Sequence, residues 1–205
     1  GLGAAYQAVR LTGDREDYPP PGRIVQVGDL AMHLDCTGEG SPMVLLDSGA
    51  GLFSSSWEYV QEALSADTRV CSYDRAGMGW SDLGEPPHDG IAAADQLHAL
   101  LEAAGEERPF VHVGHSLGGM IGRIYFDRYG DEMAGWVGIE PGEPEILFEN
   151  FTKGRDEPAT PCDWTCTVFP ALAHLGVSRI AVGSIDLLND PRYPERALAE
   201  TRAYY

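Results

Sequence analysis

Lysine is almost missing: Lys153 is the single example in 205 residues, and 14 basic side chains stand against 32 acidic ones, for a formal net charge of −18. A field of that sign repels nucleic-acid phosphates and anionic membranes, because both are bound through basic patches that release counterions. The expected partner is a small molecule, neutral or cationic rather than anionic, and no nucleic acid. GC-rich coding accounts for arginine over lysine but not for the acid excess, for which adaptation to salt is one reason. Long apolar runs are also lacking. Gly1 to Val9 is apolar but far too short to span a bilayer. Cysteine is scarce, and Cys36, Cys71, Cys162 and Cys166 have no histidine partners at zinc-like spacing, so neither a metal nor another cofactor is expected. Four cysteines allow two disulfides of unknown connectivity, or buried thiols at 36 and 71. Repeats and low-complexity tracts are absent.

With 43% hydrophobic residues the chain can bury one main core. Residues 1–22 read as a polar tether: Asp14 to Asp17 is charged and Tyr18-Pro19-Pro20-Pro21 favours polyproline II, although a frayed terminus fits equally. The sequence starts without methionine, which fits an upstream anchor segment; residence outside the cytoplasm and residence within it both stay open.

The core is expected over 23–141. Arg23–Val27 and Leu30–Cys36 alternate around Gly28-Asp29, a hairpin signal. Met43–Asp47 is a continuous apolar run, as in a strand covered on both faces. A helix is expected over Trp57–Ser65, capped by the serines before it. Strands follow at Thr68–Tyr73, Phe110–Gly114 and Gly135–Glu140, with helices at Gly90–Ala104, ending at Gly105, and Leu117–Tyr129, ending at Gly130. Strands alternating with helices imply a mostly parallel sheet with helices on both faces, an α/β fold. Past Pro141 the prolines, acids and amphipathic stretches of 142–205 read as a helical cap segment.

The chemistry centres on Gly114-His115-Ser116-Leu117-Gly118, at the end of a buried strand and the start of a helix. A turn that sharp needs small residues two before and two after the serine. Its hydroxyl is lifted above the sheet, and the helix N-terminus favours developing negative charge. The loop Asp47-Ser48-Gly49-Ala50-Gly51 can aim amides at an oxyanion; Ala50 and Leu117 are the expected donors.

These segments, with Trp57 and Asp74-Arg75-Ala76-Gly77-Met78-Gly79-Trp80-Ser81, resemble the α/β-hydrolases in order and spacing, in particular a bacterial esterase and aminopeptidase-like branch with a helical cap. The resemblance covers about Arg23 to Pro141. It implies Ser116 as nucleophile, whereas epoxide hydrolases and dehalogenases of this fold use aspartate. Ser48-Gly49 stands where the family usually has His-Gly. The family's strand order makes the second and fourth strands neighbours, which makes a Cys36–Cys71 disulfide possible; Cys162 and Cys166 could form a second, local one.

The family's triad runs nucleophile, acid, histidine in chain order. Downstream of Ser116 only His174 is available, in an apolar helical stretch where packing is the simpler role. His115 points elsewhere in such a turn, and His33, His88, His98 and His112 have surface or strand-packing readings. Some members place the acid after the sixth strand, where Glu140 stands. The strand at 135–140 would be an open apolar edge. The expectation is therefore that two further strands, the last in the fold, are absent from this chain and carry the acid and histidine, with a C-terminal fragment present as a second chain as one form of this. The expected activity is hydrolysis of a small carboxylic ester through an acyl-enzyme on Ser116. An aminopeptidase-like or carbon–carbon hydrolase, or a non-catalytic binder of the same fold, are the rivals.

Overall fold

The computed structural model describes residues 18–142. The expected tether, except 18–22, and the cap segment beyond residue 142 lie outside those residues, as do His174, Cys162 and Cys166.

Strand β1 (Arg23–Val27) turns through Gly28 and Asp29 into β2 (Leu30–Thr37), pairing Val27 with Leu30. Gly28 takes φ +60°, the conformation that a two-residue hairpin demands and glycine supplies at little cost. After β3 (Val44–Asp47) come a 3-10 turn at Ser54–Trp57 and helix α1 (Glu58–Leu64). Strand β4 (Val70–Tyr73), helix α2 (Gly90–Ala104), strand β5 (Phe110–His115), helix α3 (Leu117–Tyr129) and strand β6 (Met133–Ile139) follow. The order across the sheet is β1-β2-β4-β3-β5-β6. β2 runs antiparallel to β1 and β4, while β4–β3, β3–β5 and β5–β6 are parallel. This is the mostly parallel, doubly covered α/β sheet that the alternation implied.

The helix limits follow from local chemistry. Asp89 caps α2 by accepting from the Ala92 amide at 2.8 Å, and Gly105 closes it at φ +70°. The serines before α1 act otherwise than expected. Neither the 3-10 turn nor α1 has a side-chain cap; Ser48 and Ser56 instead donate their hydroxyls to the Phe53 carbonyl, at 2.8 and 2.7 Å. The tight turn at 54–57 puts these hydroxyls beside a carbonyl and away from the amides of the helix.

Each face of the sheet carries its own apolar cluster. One joins Leu34, Leu45 and Phe110 to Leu97 and Leu101 of α2 and Ile121 and Tyr125 of α3. The other packs Trp57 on Leu46 and Val70. β6 begins and ends slightly earlier than expected, with a register shift opposite Phe110/Val111. Among the described residues it pairs with β5 alone, and Trp136, Val137 and Ile139 are 37%, 48% and 42% exposed.

Cys36 and Cys71 face each other across β2 and β4 and are bonded as a disulfide. The bond closes a separation of 35 residues, and loop-closure entropy on that scale is worth about 4 kcal/mol. Reduction should lower unfolding stability by about that amount. Urea titrations with and without dithiothreitol would read it, and coincident midpoints would refute it.

Candidate active site

Ser116 lies between the last residue of β5 and the first of α3, at φ 49° and ψ −114°. Few non-glycine residues occupy such a conformation, and strain of this kind persists only where neighbours over-determine it. Here they do. The Ser116 amide donates to Ile139 O at 3.0 Å, tying the turn to the end of β6, and the Ser116 carbonyl accepts from the Gly119 and Met120 amides at 3.0 and 3.3 Å.

The glycines on either side are required by close approach. A Cβ on Gly114 would fall 2.5 Å from Gly118 C and Gly119 N, and one on Gly118 would fall 2.3 Å from Asp47 O. Both obstacles are backbone, so relief requires moving β3 or α3. Gly118→Ala should therefore cost about 3 kcal/mol. Thermal unfolding would measure it, and an unchanged midpoint would show that the turn yields more easily than this packing suggests.

The two residues expected to supply oxyanion donors line the same pocket. Ala50, exposed, and Leu117, half-buried, line one pocket of about 270 Å³ with Arg75, Met78, His88 and Gln96. As the first residue of α3, Leu117 presents an amide outside the helix's own ladder. The Ala50 amide and the Ser116 hydroxyl have no hydrogen-bond partner among the described residues.

Below the Ala50 loop lies a polar cluster that the sequence motifs do not single out as a unit. Asp47, fully buried at the end of β3, accepts from Arg75 Nη1 at 2.6 Å and from the Tyr73 hydroxyl at 2.9 Å. Arg75 also donates to the carbonyls of Ser48 and Gly49, each at 2.6 Å. His112 Nε2 stands 3.4 Å from Asp47 Oδ2, within ion-pair range but without hydrogen-bond alignment. Burial pushes the Asp47 carboxyl up, yet His112, the Arg75 charge and the Tyr73 hydroxyl outweigh it and hold it below the ordinary aspartate value. Burial, with the Asp47 charge next to it, drives the Tyr73 phenol well upward. The signal for this cluster was an aspartate closing an apolar strand, since a buried carboxylate needs partners.

The histidines are dispersed. His33, fully buried in β2, sets Nδ1 2.8 Å from Asp74 Oδ2 and Nε2 2.6 Å from Pro21 O. His98 stacks on Tyr129 and faces Glu132 at 3.1 Å. His115 packs over Gly49, where a Cβ would lie 2.8 Å from its Nδ1. His88 is exposed at the pocket. Glu140 follows Ile139 at φ 44°, exposed and without a hydrogen-bond partner among the described residues. One group of potential metal ligands occurs among the described residues, Cys36, Cys71 and Glu106, and its two sulfurs are bonded to each other.

The family model described as alpha/beta hydrolase fold matches residues 41–158. An uncharacterised protein of Schizosaccharomyces pombe is 32% identical over 161 residues, covering 63% of this chain and 30% of that protein. An uncharacterised vacuolar membrane protein of Saccharomyces cerevisiae is 31% identical over 114 residues, covering 54% and 18%. The crystal structure of an alpha/beta hydrolase from Novosphingobium aromaticivorans is 29% identical with a TM-score of 0.55, covering 62% of this chain and 47% of that one. The chain thus spans less than a third of the length of these two curated relatives. Such relatives are fungal as well as bacterial, and the match shows the superfamily without singling out a branch.

Proposed function

The chain belongs to the alpha/beta hydrolase fold family, and from that premise we propose that it is a serine hydrolase cleaving a small carboxylic ester through an acyl-enzyme on Ser116. The observation that carries this reading is the strained placement of Ser116 at φ 49°, between β5 and α3 and next in sequence to Leu117, which lines a pocket with Ala50.

The steps follow from that geometry. Ser116 Oγ attacks the ester carbonyl carbon and gives its proton to a base. The carbonyl oxygen takes up the negative charge and is met by the Ala50 and Leu117 amides. The C–O bond to the alcohol breaks, the alcohol leaves with the proton, and water then releases the acid from Ser116. The base is a histidine outside residues 18–142. Glu140, one residue past the strand that holds the Ser116 amide, is the proposed acid that orients it. The Cys36–Cys71 disulfide supports residence in an oxidising compartment.

A fluorophosphonate probe tests the reading. Full-length protein should carry the adduct on Ser116 and turn over neutral acyl esters faster than aminoacyl amides. The lone Ser116 hydroxyl favours one second reading, a ligand-binding member of the fold. Intact protein that binds esters in the pocket but acquires no adduct would establish that alternative.

A further inference from the structure

We propose that Arg75 is a positioning residue: it aims the Ala50 amide into the pocket by holding the preceding carbonyls from below. The inference rests on the hydrolase reading and deepens it. Its basis is the peptide plane between residues 49 and 50. In a trans peptide the carbonyl oxygen and the following N–H point to opposite sides. Arg75 Nη2 draws Gly49 O toward the protein interior at 2.6 Å, so the Ala50 N–H is turned away from the guanidinium. Nη1 holds Ser48 O in the same way at 2.6 Å, which fixes two successive carbonyls on one side of the loop. Ser48 and Gly49 are buried, whereas Ala50 emerges at the pocket wall with Leu117.

The guanidinium is itself anchored. Nη1 also donates to Asp47 Oδ1 at 2.6 Å, and Asp47 is held by Tyr73 through its other oxygen. With only 11% of its side chain exposed, its charge matched by Asp47 and its donors placed on Ser48 O and Gly49 O, Arg75 is engaged by the loop even where it lines the pocket. A planar fork can span a carboxylate and two carbonyls at once; an ammonium, a point charge on a flexible stem, cannot. The loop needs this brace because Ser48-Gly49-Ala50-Gly51 lies between β3 and a 3-10 turn and has little regular structure of its own. Of its backbone, Leu52 N→Gly49 O at 3.3 Å is the one internal turn bond among the described residues.

Arg75→Lys in the full-length protein decides the matter, because it keeps a cation against Asp47 but loses the fork. Arg75→Met serves as the complete deletion where it folds. Loss of one oxyanion donor costs roughly 10²–10³ in kcat. With a neutral acyl ester, R75K should lose about a hundredfold in kcat, with KM within about threefold. Fluorophosphonate labelling of Ser116 should slow by a similar factor, since the phosphoryl oxygen seeks the same amides. A purely structural role would leave folded R75K labelling at the wild-type rate, and that result overturns the inference while sparing the hydrolase reading. A rise in KM for anionic esters with kcat unchanged also overturns it, by making Arg75 a substrate contact. Wild-type protein that resists the probe altogether sinks the hydrolase reading, and the inference with it.

Discussion

Ser116→Ala is expected to abolish fluorophosphonate labelling and to lower kcat/KM on acyl esters by roughly 10⁴–10⁶. The size follows from the unit nature of nucleophile, base and acid: without the oxygen that forms the acyl bond, the others have nothing to act on. What remains is the modest catalysis of oriented amides acting on attacking water. Stability should separate from activity in the same experiment. Alanine inherits the backbone at φ 49° and ψ −114°, so its unfolding midpoint should match the wild type. Ser116→Gly removes the strain of a Cβ in that region and should gain about 1 kcal/mol or more while being equally inactive. Chemical denaturation and ester kinetics on the three proteins would read both effects. An alanine variant within tenfold of the wild type would move the nucleophile elsewhere.

Much of this arrangement was legible because it is written locally. The switch from the two-residue rhythm of β5 to the helical rhythm of α3, with glycines at 114 and 118, places the sharp turn within one residue. Helix α2 was equally plain, its end marked by Gly105 in the left-handed conformation. What escaped notice is what the sheet assembles from distant segments. His33 and Asp74 are neighbours because β2 and β4 run antiparallel, with Leu34 opposite Tyr73. Arg75 reaches Asp47 because β4 lies beside β3. No periodicity encodes such pairs, since each member reads by itself as one more polar residue at a strand end. The Cys36–Cys71 bond is intermediate: spacing alone left it open, but the family's strand order pointed to the register now seen. The serines of 54–56 show the reverse error, a sound local preference for capping overruled when the turn tightened around the Phe53 carbonyl.

The largest loss of stability should come at Asp74. Its carboxylate is 1% exposed and collects the Ser54 amide at 2.7 Å, the Trp80 amide at 3.2 Å and His33 Nδ1 at 2.8 Å. Its own carbonyl accepts from Ser81 Oγ at 2.6 Å, and Ser81 Oγ in turn accepts from the His33 amide at 2.9 Å. One side chain therefore fastens β2, the 3-10 turn and the loop that carries Arg75. Asp74→Ala strips His33 of a buried partner and should cost about 3–5 kcal/mol. Asp74→Asn, which can still accept from an amide, should cost less. Acid should imitate the alanine variant. Burial raises the Asp74 carboxyl, but the His33 contact and the Ser54 and Trp80 amides outweigh it, so the folded pKa lies below the ordinary 3.8. Between those two values the unfolded chain binds the extra proton, so stability rises with pH there. The Asp74 contribution is complete above 3.8 and disappears as pH falls through the depressed folded value; Asp47, shifted the same way, adds a second loss in the same window. Glu106 and Glu132 are depressed from 4.5 in the same way, so denaturant midpoints taken from pH 7 down to 2 should stay level until about 5 and then drop. In Asp74→Ala the drop should be shallower, since one of the four carboxylates that cause it, with Asp47, Glu106 and Glu132, is gone. A variant that keeps the full wild-type acid slope would show that Asp74 does not set it.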